Sequence, residues 1–248
     1  MTGRVLTPWW RKRTPDERHG EAAGSTLSTR ILDWGHPRVR RLAQAALAAA
    51  NDGGDVATLR AAHRLIADRV RPVYSVEDTR RVSSVLARGS GSCSQRLAVL
   101  EAVARSSGIA TRVRGLVVDG RFWYPRFPRM RVVVPDAVLL AWPQFRVEER
   151  WVDSSELFGT LAALAAGSQP GFTNDGGETL FDALPRTALD WDGRTSQLGT
   201  CSACDLSARV VVDLGLYESR DQLFRQQGQT LSWLARVLVE PVLGRWSP

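Results

Sequence analysis

Covalent chemistry in this chain must fall to few side chains. There are three cysteines, Cys93, Cys201 and Cys204, and three histidines, His19, His36 and His63. Cys93 has the most suggestive setting. Gly89-Ser90-Gly91-Ser92 runs into it, and an apolar helical pattern leaves it, with Leu97, Leu100, Val103 and Ala104 on one face. A thiol at a helix N-terminus feels the positive end of the helix dipole, which lowers its pKa and presents its sulfur. Such a nucleophile needs a base to take its proton and a carboxylate to orient the base. The competing use is packing, since a cysteine at a helix start often serves as a small hydrophobe. The small, flexible run before Cys93 favours the nucleophile.

The other candidates are weaker. Cys201-Ser202-Ala203-Cys204 has Cys-x-x-Cys spacing, but no second pair of ligands lies nearby to complete a zinc site. No βαβ pattern surrounds it, as a redox dithiol would require. Two thiols in a loop before Asp205 is the better reading, with a bridge or a metal shared between two copies left open. Nothing in the sequence calls for a cofactor or a resident metal. Residues 171–182 cluster polar groups among tight turns, either as a loop that closes on a cleft or as a plain structured turn. Arg121 to Arg129 mixes aromatic residues with arginines. It suits an acidic face of a carrier protein or a planar substrate, or a hairpin with its aromatics on the core.

These residues need elements to position them. Helical spacing predicts one helix after His36-Pro37, through Val39, Leu42, Ala46 and Ala49, and a second from Val56 to Val70, ended by Pro72. Residues 75–92 read as a loop with a short apolar piece at Val82 to Leu86. The helix opened by Cys93 closes at Gly108, a natural C′ residue. The period then changes to two. Ile109 to Gly115 reads as a strand, and Asp119-Gly120 between β-formers predicts a hairpin. Val132 to Val134, Val138 to Phe145 and Trp151-Val152-Asp153 read as further strands, followed by a helix over 155–166. Short segments at 180–184 and 190–193 follow. The end of the chain reads as a strand or helix at 207–215 and a longer helix over 221–242. Helices first, then antiparallel strands, is an α+β layout. Three parts result: a polar N-terminal tail, 1–30, disordered or draped over the surface; a core, 31–166; and a C-terminal extension, 167–248, packed on the core.

Composition sets the broad class. With 248 residues, 44% of them apolar, the chain can bury a substantial core. No apolar run reaches the ~18 residues that span a bilayer. Met1 to Gly20 has no apolar segment of signal-peptide type, and no disulfide framework is evident, which favours the cytoplasm. The formal charge is +7. The basic residues are nearly all arginines scattered along the chain, and Lys12 is the single lysine, so a solvated basic surface is a better reading than a nucleic-acid interface.

Several of these stretches, taken together, resemble the transglutaminase-like (papain-like cysteine) superfamily. They are Gly91-Ser92-Cys93 opening a helix, then Ser107-Gly108-Ile109-Ala110-Thr111-Arg112-Val113-Arg114-Gly115, then Leu140-Ala141-Trp142, then Trp151-Val152-Asp153. The likeness spans roughly residues 40–160. It implies an α+β fold with Cys93 as nucleophile, Asp153 as the orienting carboxylate, and Ser92, Leu140, Trp142 and Trp123 about the cleft. It also implies that Leu140 stands where the family keeps its histidine. No histidine follows His63, and leucine can neither take nor give a proton. Three outcomes follow. The cleft now binds without catalysis; or Cys93 still exchanges with an activated thioester, such as a carrier-bound one, where the leaving group is good; or His36 or His63, each more often an ordinary helix residue, has become the base. The functional expectation is cysteine-dependent acyl transfer, or amide or thioester chemistry, on a small-molecule or peptide substrate in biosynthesis. The alternative is a binding or scaffold protein on a degenerate enzyme fold.

Overall fold

The computed structural model describes residues 22–51, 53–128, 131, 134–167, 171–174, 177–192, 206–231, 236–238, 240 and 241. Cys201, Cys204, His19, Arg129 and the strand residues Val132 and Val133 lie outside them. Two helices come first, α1 (Pro37–Ala49) and α2 (Gly54–Arg69). The His36 ring caps α1, its Nδ1 accepting from the Arg38 N–H at 3.2 Å. The chain between α2 and the Cys93 helix is more ordered than its serine and glycine content suggested. It holds α3 (Val82–Arg88), which stops at Gly89 with a left-handed φ of 59°. On either side, β1 (Arg71–Pro72) pairs in parallel with β2 (Ser90–Gly91), which brings the end of α2 against the approach to Cys93.

Helix α4 (Cys93–Ser106) is the axis of the molecule. Every residue from Gln95 to Arg105 is buried, as expected of a helix wrapped on all sides. Helices α1, α2 and α3 pack around it, and the sheet lies against it as well. Gly108 follows with φ of 84°, the left-handed stop that the sequence implied.

The sheet is antiparallel, in the order β5-β4-β3-β6, with β3 Thr111–Asp119, β4 Ala137–Val147, β5 Arg150–Asp153 and β6 Val210–Tyr217. Strand β4 is central and pairs with β3 from Phe145↔Thr111 to Ala137↔Asp119. Strand β6, from late in the chain, extends the same sheet along β3. Residues 22–30 lie against the molecule, through the Ser25↔Thr111 bridge and the Arg112 Nη1 bond to Ala22 O.

Three expected elements differ. Asp119-Gly120 does not make a tight hairpin. The Asp119 carboxylate accepts from the Arg121 N–H at 2.9 Å and starts a 3-10 turn, Gly120–Trp123, and β4 returns only at Ala137. The helix expected over 155–166 is reduced to α5 (Leu161–Ala165), because Thr160 caps it from Ala163 N–H and turns occupy 154–159. The long final helix is interrupted: α7 (Arg220–Gln227) ends at Gly228 with φ of 71°, and residues 236–238, 240 and 241 are helical again. Between these, α6 (Leu180–Ala183) is a short helix that packs on α4.

Candidate functional site

Cys93 is the first residue of α4, and the turn before it is fixed by reciprocal bonds. Ser92 Oγ accepts from the Gln95 N–H, and Gln95 Oε1 accepts from the Ser92 N–H at 3.1 Å. This is a capping box, which satisfies two helix-end donors at once. The Gln95 amide then donates to Ser75 Oγ at 2.9 Å and to Glu77 O at 2.8 Å, so the 75–77 loop is tied to the start of α4.

A cavity of about 400 Å³ opens beside Cys93. Its walls come from four regions. The 73–78 loop supplies Tyr74, Ser75 and Val76, and the start of α4 supplies Ser92, Cys93 and Ser94. The stretch after β3 supplies Phe122, Trp123 and Phe127, and β4 supplies Val138, Leu139 and Leu140. Phe172, Leu180, Leu206, Leu231 and Leu238 add apolar surface, and Asp78, Arg126, Asn174, Thr179 and Thr230 bring polar groups to it. Most of this surface is apolar. No histidine stands among the described lining residues.

Of the residues singled out from the sequence, Ser92, Cys93, Trp123 and Leu140 therefore line one cavity. Trp142 does not. It is fully buried two residues further along β4 and meets Trp191 edge-on, centroids 5.0 Å apart. Asp153 also lies off the cavity lining. It pairs with Gln144 across β4 and β5, and its carboxylate accepts from Gln144 Nε2 at 3.2 Å. Burial pushes its pKa up to about 6, against that hydrogen bond.

Cys93 is half-buried at the cavity wall. Burial pushes the Cys93 pKa up to about 11, although the Arg96 guanidinium and the Phe181 backbone N–H both favour the thiolate. Desolvation of the anion outweighs the fixed positive charge around it. Arg96 is largely committed elsewhere. It is fully buried, makes a two-pronged bond to Asp182 at 2.6 and 3.0 Å, bonds Thr179 Oγ1 at 3.0 Å and lies over the Phe181 ring. Burial would raise the Asp182 carboxyl, but its bonds to Arg96 and Thr179 hold it below its ordinary value.

His63, the candidate for a displaced base, is turned to a different task. Its Nε2 lies 2.6 Å from Phe181 O, its ring stacks on Phe181 at 4.4 Å, and burial lowers its pKa. The Phe181 backbone thus meets Cys93 through its N–H and His63 through its carbonyl. Thr179 and Asp182 set that backbone in place through their own capping box at the start of α6. The sequence carried a sign of this in the Thr179-x-x-Asp182 spacing within the 171–182 stretch. Further along, Asn174 accepts from Arg126 Nε at 2.7 Å and donates to Phe122 O, which joins the 171–174 turn to the aromatic wall.

Among the described residues, no group of three or more His, Cys, Asp or Glu side chains could hold a metal ion, and no helix is long and apolar enough to cross a membrane.

A cysteine opening a buried helix, packed on an antiparallel sheet with a cavity at their junction, is the arrangement of an α+β papain-like cysteine fold. Residues 41–154 match the model of the transglutaminase-like superfamily. No curated protein and no solved structure matches the chain.

Proposed function

We propose that the chain is a binding protein built on a transglutaminase-like fold. Its cavity takes an apolar small molecule, or the apolar segment of a peptide or carrier-bound acyl group, without covalent catalysis at Cys93. The observation that carries this reading is the pairing, in one cavity, of Leu140 with a Cys93 thiol whose pKa is about 11. At pH 7 such a thiol is ionised in about one molecule in 10⁴, and no histidine among the described lining residues is there to draw off its proton. What remains is a largely apolar cavity within the range of small-ligand sites.

The second reading, cysteine-dependent acyl transfer to or from an amide or thioester in biosynthesis, draws support from the Phe181 N–H and Arg96, both of which favour the thiolate. One experiment separates the two. Nile red and a series of N-acyl amino acids of rising chain length are titrated into wild type, Cys93→Ala and Leu140→Arg, and the same proteins are incubated with acyl thioesters and followed by intact mass. Binding requires affinity that survives Cys93→Ala and is lost in Leu140→Arg, with no adduct or turnover. Thioester consumption that disappears in Cys93→Ala would hand the assignment to the enzyme.

A further inference from the structure

Among the described residues that line the cavity, Arg126 and Asp78 are the two charged ones. Arg126 is held in a built setting. Its Nε donates to Asn174 Oδ1 at 2.7 Å and its Nη2 to Glu178 O at 2.6 Å, and its Cζ lies 5.4 Å from the centre of the Phe172 ring. Asn174 is itself buried, takes a left-handed φ of 59° and gives its Nδ2 to Phe122 O, so the acceptor that orients the guanidinium is held from behind. Both acceptors are uncharged carbonyl oxygens. They set the direction of the guanidinium without cancelling its charge, and two bonds do not exhaust a group with five N–H donors.

The charges around it are arranged differently. Glu178 gives Arg126 its backbone carbonyl but gives its carboxylate to Arg186. Arg96 and Arg220, the buried cations beside the start of α4, each face a carboxylate of their own, Asp182 and Glu101, and neither lines the cavity. Arg126 is thus the cation that the fold presents to the cavity, and it does so from an aromatic wall. Phe122, Trp123 and Phe127 flank it in sequence, and the Phe122 and Phe172 rings stand 6.1 Å apart. A fixed cation beside apolar surface attracts an anion more strongly than one in water, and its planar fork matches a carboxylate.

We propose that the ligand of the cavity is an amphipathic monocarboxylate, whose carboxylate pairs with Arg126 and whose apolar tail lies along Phe172 and Phe122 into the rest of the cavity. The assignment rests on the binding reading above and gives it a ligand class. A fatty acid and an N-acyl amino acid both carry this chemistry, whereas a neutral apolar molecule does not. Asp78 is the lining group that would draw a cationic head group instead.

The test is competition against Nile red at neutral pH, with decanoate, N-octanoylglycine, decanol and decyltrimethylammonium as competitors, in wild type and Arg126→Met. Leu140→Arg marks the dye signal that belongs to the cavity. The readout is the ratio of decanol to decanoate affinity within each protein, so a general weakening of the cavity by the substitution cancels. The expected result is decanoate or N-octanoylglycine at least about tenfold tighter than decanol in wild type, the worth of one charge-assisted bond, with that preference lost in Arg126→Met. Whichever of the two carboxylates binds more tightly names the source. The Arg126 Nε–H resonance of wild type gives the same answer without a variant, should Arg126→Met fold poorly: it shifts with decanoate and not with decanol. Equal affinity for acid and alcohol in wild type, a resonance that decanoate leaves unmoved, or a preference that survives Arg126→Met overturns the assignment and leaves the cavity as an apolar site. Tighter binding of decyltrimethylammonium overturns it in favour of a cation at Asp78. A dye signal that is absent from wild type, or that Leu140→Arg leaves untouched, overturns the binding reading and the ligand class with it.

Discussion

At the scale of single residues, the contest at Cys93 is between a helix terminus and a dry environment. The macrodipole, Arg96 and the Phe181 N–H all pull the thiol toward ionisation, and burial pushes harder the other way. The sign of the outcome fixes its pH behaviour. A thiol whose folded pKa is raised contributes stability as the neutral form, fully present below the ordinary thiol value and lost as pH climbs toward 11. Reactivity runs the opposite way. Carbamidomethylation of native protein by iodoacetamide should quicken about tenfold per pH unit from 7 to 10 and level off only near 11, and unfolding in guanidinium should raise the rate at pH 8 by about two orders of magnitude. Peptide mapping of the labelled protein checks both, since it separates Cys93 from the other two thiols. A plateau below pH 8 at Cys93 would restore the activated nucleophile and with it the acyl-transfer reading.

At the scale of elements, the cavity depends on how the chain returns from β3 to β4. Gly120 sits at the start of that return with its N–H donated to Asp136 O. A Cβ placed there would lie 1.6 Å from Pro135 O and 2.8 Å from Pro135 C, both backbone atoms that cannot rotate away. Gly120→Ala should therefore cost at least about 2 kcal/mol by urea unfolding, with a shift of Phe122 and Trp123 that weakens dye binding. At Gly115 the nearest obstruction is a Leu223 methyl at 2.7 Å, which can rotate, so Gly115→Ala should be milder. The same return shows what the sequence could and could not disclose. Asp-Gly between β-formers is an honest turn signal, and it failed here because the Asp119 carboxylate found a local partner at Arg121 and began a 3-10 turn instead. Helix starts and stops were legible where they depend on neighbours in the chain, as at Cys93 and Gly108, whereas the helix that ends at Gly89 was read as loop. The Arg96–Asp182 pair, the Phe181 peptide over Cys93 and the Asn174 link to Arg126 join residues tens of positions apart, and no local pattern announces them. Ser92 and Leu140 were singled out through a family likeness and Trp123 through its aromatic stretch, and all three line the cavity. Trp142 was placed on the same strand but at a position that the fold buries against Trp191.

At the scale of the whole molecule, the late part of the chain is woven into the early part rather than set beside it. Strand β6 hydrogen-bonds β3, and Arg220 at the start of α7 reaches through the interior to Glu101 of α4, with its Nη1 donating to Ser94 Oγ at 3.1 Å and its Nη2 to Ala141 O of β4 at 3.1 Å. Both Arg220 and Glu101 are completely buried. One residue on, Asp221 binds Thr29 Oγ1 at 2.5 Å and the Ile31 N–H, so the first described residues are fastened to the same helix. We infer that the division at residue 167 separates segments of sequence and not independent folding units. Arg220→Met tests this, because it strands a carboxylate inside the core, where breaking a buried pair typically costs about 3–5 kcal/mol. Thermal unfolding of wild type should show one transition, and Arg220→Met should lower it as a single transition by roughly 6–20 °C, given the roughly 2–4 °C per kcal/mol expected for a chain of this size. Glu101→Gln combined with Arg220→Met removes both charges and should recover part of that loss. Two resolved transitions, with only the lower one moved by Arg220→Met, would instead make the C-terminal part a separate unit.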